Sequence, residues 1–443
     1  MKTLILLITI FTIFLRQNAE CQNWMQWGNG AVVVSELFSD STTNTLYAGG
    51  KFIGYSGDTI KTVAKWNGSA WDSLGNTNSD YPFFKIIKYN DTLFASGLQN
   101  QQVYKFTGIG WFLAGTNSQN WVKDLVGYQN NLYAFGLFGN AIGKLKNNLW
   151  SFIPTPTTFT DIRTAIIYKN ELYAGGSWES DSGRSIVMRW DLNSWNSLGS
   201  GLETSVICEM YNGGVQDFAI YRDELYVGGC FFKTSGGVNP DNCIGRWDGN
   251  NWNNVGGGLN GTVYHFVVYK DELYACGEFT KAGGIPADGI AKWDGIKWCS
   301  LGSNFSGDIY DMIVYNNELI ISGSFTQIDG YPINHIAKWI GGNFVDTCGN
   351  SSGIEETSSI VKDFNVYPNP TNGNVTLEIN LDKPENINIS IYNTIGERIY
   401  FENVNNVFGS FYKNIDISGL SKGIYLININ AADLFICKKI IKR

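Results

Sequence analysis

Two histidines and nine prolines are all that 443 residues contain, and charged side chains make up only 16% of the chain. The scarcity of histidine removes most of the material for a histidine-based metal site or a Ser/His/Asp triad. His265 and His335 also fall in different copies of the repeat described below. So low a charge content argues against a disordered chain and a coiled coil. The sequence has no CxxC pair, no phosphate-binding glycine motif and no calcium loop of alternating acidic ligands. After residue 21 no apolar run approaches the roughly 20 residues a membrane helix needs, so no transmembrane segment is expected.

What is abundant is glycine and aromatic residues: 51 Gly, 26 Phe, 23 Tyr and 15 Trp. That mixture predicts many short strands joined by tight turns. Residues 1–21 read as a signal peptide, with Lys2, an apolar run from Leu4 to Leu15, and Ala19 and Cys21 before a cleavage point at Gln22. Cys21 also reads as a lipoprotein cysteine, against which stands Glu20 where such a site needs a small residue. Residues 22–443 carry 30 basic and 39 acidic side chains, and from Phe364 onward the balance is 8 to 7, so the negative charge belongs to the larger part. An acidic body without a basic patch argues against nucleic acid as a partner. Cys208, Cys230, Cys243, Cys276, Cys299, Cys348 and Cys437 are scattered without metal-ligand spacing. Cys230 and Cys243 flank one predicted hairpin and are candidates to pair; buried free thiols are the other reading.

The chain repeats itself. One copy runs Leu273-Tyr-Ala-Cys-Gly-Glu-Phe279, Gly283-Gly284, Ile290-Ala-Lys-Trp-Asp-Gly295 and Trp298-Cys-Ser-Leu-Gly302. Equivalent openings stand at Leu46, Leu93, Leu132, Leu172, Leu225, Leu273 and Leu319, at intervals of 47, 39, 40, 53, 48 and 46 residues. That is the period of a four-stranded propeller blade, and seven copies predict seven blades over residues 22–348. Within a copy the predicted order is an apolar strand ending in Tyr, an Asn/Asp-rich turn, the Leu-Tyr-x-Gly-Gly-x-Phe strand, Ile-Ala-Lys-Trp, an Asp-Gly turn and Trp-x-x-Leu-Gly. Gly-Gly pairs such as Gly228-Gly229 imply close backbone approach. In copies two and three Phe106 and Leu145 replace the third-strand Trp. Trp24–Gly28 and Asn343–Thr347 each look like a fourth strand lacking the other three; one completes the seventh blade and the other covers its edge. These motifs resemble the kelch-like propellers, a resemblance that implies a fold and no activity, and no copy carries a copper or radical-forming site.

A polar linker is predicted at 349–363 and a small antiparallel β-sandwich of immunoglobulin-like type at 364–443, with strands at 374–381, 386–393, 410–417 and 424–430. Tyr367, Pro368, Asn369 and Pro370, then Gly373, Gly396, Gly423 and the terminal Lys438 and Lys439 sit in runs that closely resemble the type A C-terminal sorting domain of the type IX secretion system. The resemblance implies export in a Bacteroidota-type bacterium through the type IX translocon, removal of the domain by a sortase within 349–363, and a product that is secreted or attached to the outer-membrane surface.

Candidate chemistry is sparse. Eleven tryptophans occupy repeat-equivalent positions and read as packing between blades. Trp121 departs from the pattern at the entrance of an innermost strand and is a candidate ligand contact. Four residues before the innermost-strand Tyr lie Lys85, Asp124, Thr164, Asp217, His265 and Asp311, a polar set with two readings. Facing the axis it would line a channel mouth able to hold a cation or a hydroxyl-rich ligand; alternatively each side chain bonds backbone of an adjacent blade. No catalytic residue, cofactor or metal site is indicated, and no acid/base pair stands out by spacing. The expected function is a secreted or surface module that binds a glycan or a protein; the alternatives are a polysaccharide hydrolase or lyase and a structural adhesin component.

Overall fold

The computed structural model describes residues 23–28, 31–53, 59–75, 85–97, 102–116, 121–137, 141–156, 161–177, 187–199, 202–203, 213–231, 233–234, 243–341, 361–393, 398–431 and 434–443, and among these there is no helix. Residues 1–21, read as a signal peptide, residues 349–360, Asn343–Thr347 and Gly396 lie outside the described residues. The chain divides into two compact units, built mainly on Gln26–Trp339 and on Gly353–Arg443.

The larger unit contains seven four-stranded sheets among its described residues. In the sixth, Thr262–Tyr269, Glu272–Glu278, Ile290–Trp293 and Trp298–Ser300 pair antiparallel in chain order. The seven innermost strands are Ala31–Asp40, Lys85–Tyr89, Val122–Tyr128, Asp161–Tyr168, Gly214–Tyr221, Thr262–Tyr269 and Ile309–Tyr315. Each lies against the next, and Ile309–Tyr315 lies against Ala31–Asp40, so the cycle closes as in a propeller. Six of the seven hairpin turns after the innermost strands place both central residues at positive φ, as at Lys270 and Asp271 (50° and 58°) and Asn316 and Asn317 (51° and 60°). This is the turn whose twist suits two-residue hairpins, and it explains the Asn/Asp enrichment read from the sequence.

The Gly-Gly pairs answer two different crowding problems. A Cβ on Gly228 would stand 2.5 Å from the Phe266 ring of the next sheet, and one on Gly229 would stand 2.1 Å from the carbonyl oxygen of Gly214 in its own sheet. The tryptophans pack as expected between sheets. Trp252 Nε1 donates to Leu198 O (3.0 Å) and Trp298 Nε1 to Val255 O (2.7 Å), each reaching the segment just after the preceding sheet's last strand.

Of the two terminal candidates it is the N-terminal one that completes the seventh sheet: Trp24–Gln26 is its outer strand, beside Ile336–Trp339. Trp27 N donates to Ile336 O (3.1 Å), and the Gln26 side chain donates to the carbonyls of Asn334 and Ile336, both at 3.1 Å. The proposed Cys230–Cys243 pairing is not formed. Cys243 and Cys276 are free and buried, whereas Cys230 and Cys299 each take part in a disulfide.

The tail domain starts three residues inside the segment read as linker, with strand Val361–Tyr367. Residues 374–393, read as two strands, form one continuous strand with register shifts around Glu385. Its first half pairs with Val361–Tyr367 and its second with Gly423–Ala431, while Arg398–Asp416 runs along both halves. Val375, Leu377, Ile379, Leu381, Ile387, Ile389 and Ile391 are all buried, the period-two face that makes the core of this domain.

Candidate functional site

Six of the seven innermost strands open with a register irregularity at the entrance end, as between Val122 and Asp124, Val215 and Asp217, Val263 and His265, and Ile309 and Asp311, while Lys85–Tyr89 begins at the equivalent ladder position with Lys85 itself. The bulge turns one residue per strand out of the ladder and aims the next one inward. Lys85, Asp124, Thr164, Asp217, His265 and Asp311 are therefore structurally equivalent, and Glu36, after the irregularity at Val34, is the seventh member. The sequence pattern missed Glu36 because Asp40 stands where the other copies have Tyr. The charged members converge: Lys85 of the second sheet feels the charges of Asp217 and Asp311, from the fifth and seventh.

The ring is knitted into the backbone. Glu36 accepts from Ile86 N (3.3 Å), Asp124 from Ala165 N (2.7 Å), Asp217 from Phe266 N (2.8 Å) and Asp311 from Leu37 N. In every case the donor is the residue just after the ring position of the next sheet. Lys85 lies 3.7 Å from Glu36 and 3.9 Å from Asp124, and His265 reaches Asp217 at 3.6 Å and Asp311 at 3.1 Å. Burial pushes Glu36, Asp124 and Asp217 above the usual carboxylate range, while Glu36 beside it holds Lys85 above its ordinary value. The four carboxylates thus bond backbone of an adjacent sheet, as the second of the two readings has it. Among the described residues no group of three or more His, Cys, Asp or Glu is placed to hold a metal ion.

Trp121 stands apart from the ring, 49% exposed at the rim, with φ at +64°. His335 is structural, its Nδ1 3.1 Å from Gly323 O.

The entrance end carries a feature that spacing alone did not reveal. Between the sixth and seventh sheets lies a cavity of about 320 Å³ whose polar lining comes from Asn260, Glu278, Thr280, Asp288, Ser306 and Asp308. Glu278 ends a second strand and Asp308 precedes an innermost one, 30 residues apart and brought together by the stacking of two sheets. Tyr264 donates to Glu278 Oε2 (3.0 Å) and its ring lies 6.4 Å from that of Tyr310. Asp288 accepts from Phe305 N (2.8 Å), and Asn260 accepts from Thr280 N (2.8 Å) and Lys281 N (2.7 Å). Burial, and then the charge of Glu278, raises Asp308.

In the tail, Asn369 clasps the terminal strand Leu434–Lys442: its Oδ1 accepts from Ile441 N (2.9 Å) and its Nδ2 donates to Lys439 O. Tyr367–Pro368 and Asn369–Pro370 are cis. Gly373 O accepts from Ile417 N (2.7 Å). Gly423 pairs with Lys442 in the ladder, and Lys438 donates to Phe364 O.

Residues 365–443 match the family described as secretion system C-terminal sorting domain. With the cycle of four-stranded sheets ahead of it, the chain is a propeller protein carrying a type IX sorting tail, and so a secreted or outer-membrane-surface protein. Among the described residues no helix is long and apolar enough to cross a membrane. No curated protein matches the chain. Similar solved structures include PorZ, a bacterial surface component of the type IX secretion system of Porphyromonas gingivalis, at 12% identity and TM-score 0.41, covering 93% of this chain and 65% of that one. The Dos1 propeller is similar at 9% identity and TM-score 0.43, over 71% of this chain and 89% of that one. The extracellular domain of the BT4673 hybrid two-component system of B. thetaiotaomicron is similar at 10% identity and TM-score 0.44, and the chain covers 60% of its length.

Proposed function

We propose that the propeller is a binding module for an extracellular glycan or protein, and that it engages its ligand at the entrance end of the ring. The observation that carries this reading is the cavity between the sixth and seventh sheets, at the end of the ring where Trp121 is exposed. Amide, hydroxyl and carboxylate groups supply orienting hydrogen bonds there, while the strands beneath keep the scaffold rigid. Glycan-array binding by the mature protein, repeated with Trp121→Ala and Asn260→Ala, tests it; saturable binding weakened by either substitution is the expected result. A second reading, an exported polysaccharide-degrading enzyme, draws on Asp308 with its raised carboxyl beside Glu278, a pairing of the kind acid/base catalysis uses. Release of reducing ends by the wild type and its loss in Asp308→Asn would favour that reading.

A further inference from the structure

We infer that the cavity between the sixth and seventh sheets selects a sugar residue that carries hydroxyls and no acidic group, an inference that rests on the glycan reading above. Three carboxylates, Glu278, Asp288 and Asp308, share the lining with Asn260, Thr280 and Ser306. Asp288 and Glu278 are each held by one hydrogen bond, from Phe305 N and the Tyr264 hydroxyl, which fixes their direction while leaving further acceptor positions on each carboxylate. The charge that bears on Asp308 is another negative one, that of Glu278. Carboxylates are strong acceptors, so vicinal hydroxyls of a sugar satisfy this lining with charge-assisted bonds. A uronic acid or sulfated residue would instead bring a further negative charge among like charges in a partly desolvated space, which is unfavourable at any separation the cavity allows. The volume, about 320 Å³, lies at the small end of ligand sites and suits one or two sugar rings rather than a folded protein surface.

The test uses the full mature chain and two sets of probes of equal length: neutral oligosaccharides, and oligosaccharides of uronic acids or with sulfate esters. Binding is read by calorimetry at neutral pH for the wild type, for Asp308→Asn, and for the double variant Glu278→Gln/Asp308→Asn, with thermal unfolding to show that each variant folds. The expected result is that neutral probes bind at least tenfold more tightly than acidic ones, and that this ratio shrinks in the double variant because acidic probes gain. Equal or tighter binding of uronates or sulfated sugars by the wild type overturns the inference and leaves the glycan reading standing. A selectivity ratio unchanged in the double variant overturns it likewise. Absence of binding to every glycan overturns both, and sends the search to protein ligands.

Discussion

The hydroxyl of Tyr315 donates a 3.1 Å hydrogen bond to the carbonyl oxygen of Asn44, 271 residues earlier, and so ties the last sheet of the ring to the first. The same bond recurs around the cycle: Tyr128 to Asn170, Tyr168 to Asp223, Tyr221 to Asp271 and Tyr269 to Asn317. In five of the seven innermost strands the terminal Tyr is therefore a clamp on the next sheet's first turn, and the first strand ends in Asp40 instead. Among the strand-ending tyrosines Tyr89 is the exception, its hydroxyl buried without a partner.

Tyr315→Phe is expected to cost about 1 kcal/mol, the net worth of a neutral hydrogen bond. Tyr89→Phe is expected to be neutral or stabilising, since it removes an unsatisfied polar group. Urea unfolding of the two variants side by side checks the contrast, and equal losses would sink the clamp.

Asp124→Ala removes a buried carboxylate that bonds Ala165 N across sheets and pairs with Lys85. A loss of about 2 kcal/mol is expected, in the range for hydrogen bonds to charged groups. Trp121→Ala, on the exposed rim, is expected to change stability by no more than about 0.5 kcal/mol. A binding defect in Asp124→Ala or Asp217→Ala is thus read only after correction for folding, whereas one in Trp121→Ala is read directly.

The raised Asp308 gives a pH signature. Its proton is held more tightly in the folded state than in the unfolded chain, so stability falls as pH rises above the ordinary aspartate value of 3.8 and levels off once the folded group has ionised. Asp308→Asn removes this contribution, and the melting temperature of the variant relative to wild type is expected to climb with pH across that window. A constant difference from pH 3 to 8 would argue against the shift.

Asn369 holds the terminal strand at two backbone positions. Asn369→Ala is expected to speed amide exchange at Ile441 without disturbing the Val375–Ile391 core, read by hydrogen exchange. Removal of residues 365–443 is expected to abolish appearance of the propeller outside the cell, measured by fractionation.

The repeat was legible because each of its signals is local: Asn/Asp turns, Gly-Gly pairs and Trp at fixed offsets all answer demands made within one sheet or by its neighbour. The seventh ring member was not, because Asp40 had replaced the Tyr that marks the register. In the tail, Arg398–Asp416 was recovered only in its last third, since Glu402 and Lys413 occupy half-buried positions while Phe401, Phe408 and Tyr412 are exposed, which blurs the polar/apolar alternation. The cavity was invisible for a different reason. Glu278 and Asp308 belong to different copies, at positions that other copies fill differently, and only the stacking of sheets makes them neighbours.

The seventh sheet takes its outer strand from Trp24–Gln26, so the bonds that join Gln26 to Asn334 and Ile336 span 308 and 310 residues of sequence. Closing so long a loop is entropically the most demanding step in the chain and contributes nothing until both ends are in place. Six sheets can be laid down one after another, each from its own stretch of chain, but the cycle stays open until the residues near position 336 meet the earliest ones. The few residues around Trp24–Gln26 therefore act as the latch of the whole ring: an aminopeptidase that trimmed past Gln26 would undo the joint that every other sheet relies on to remain a circle.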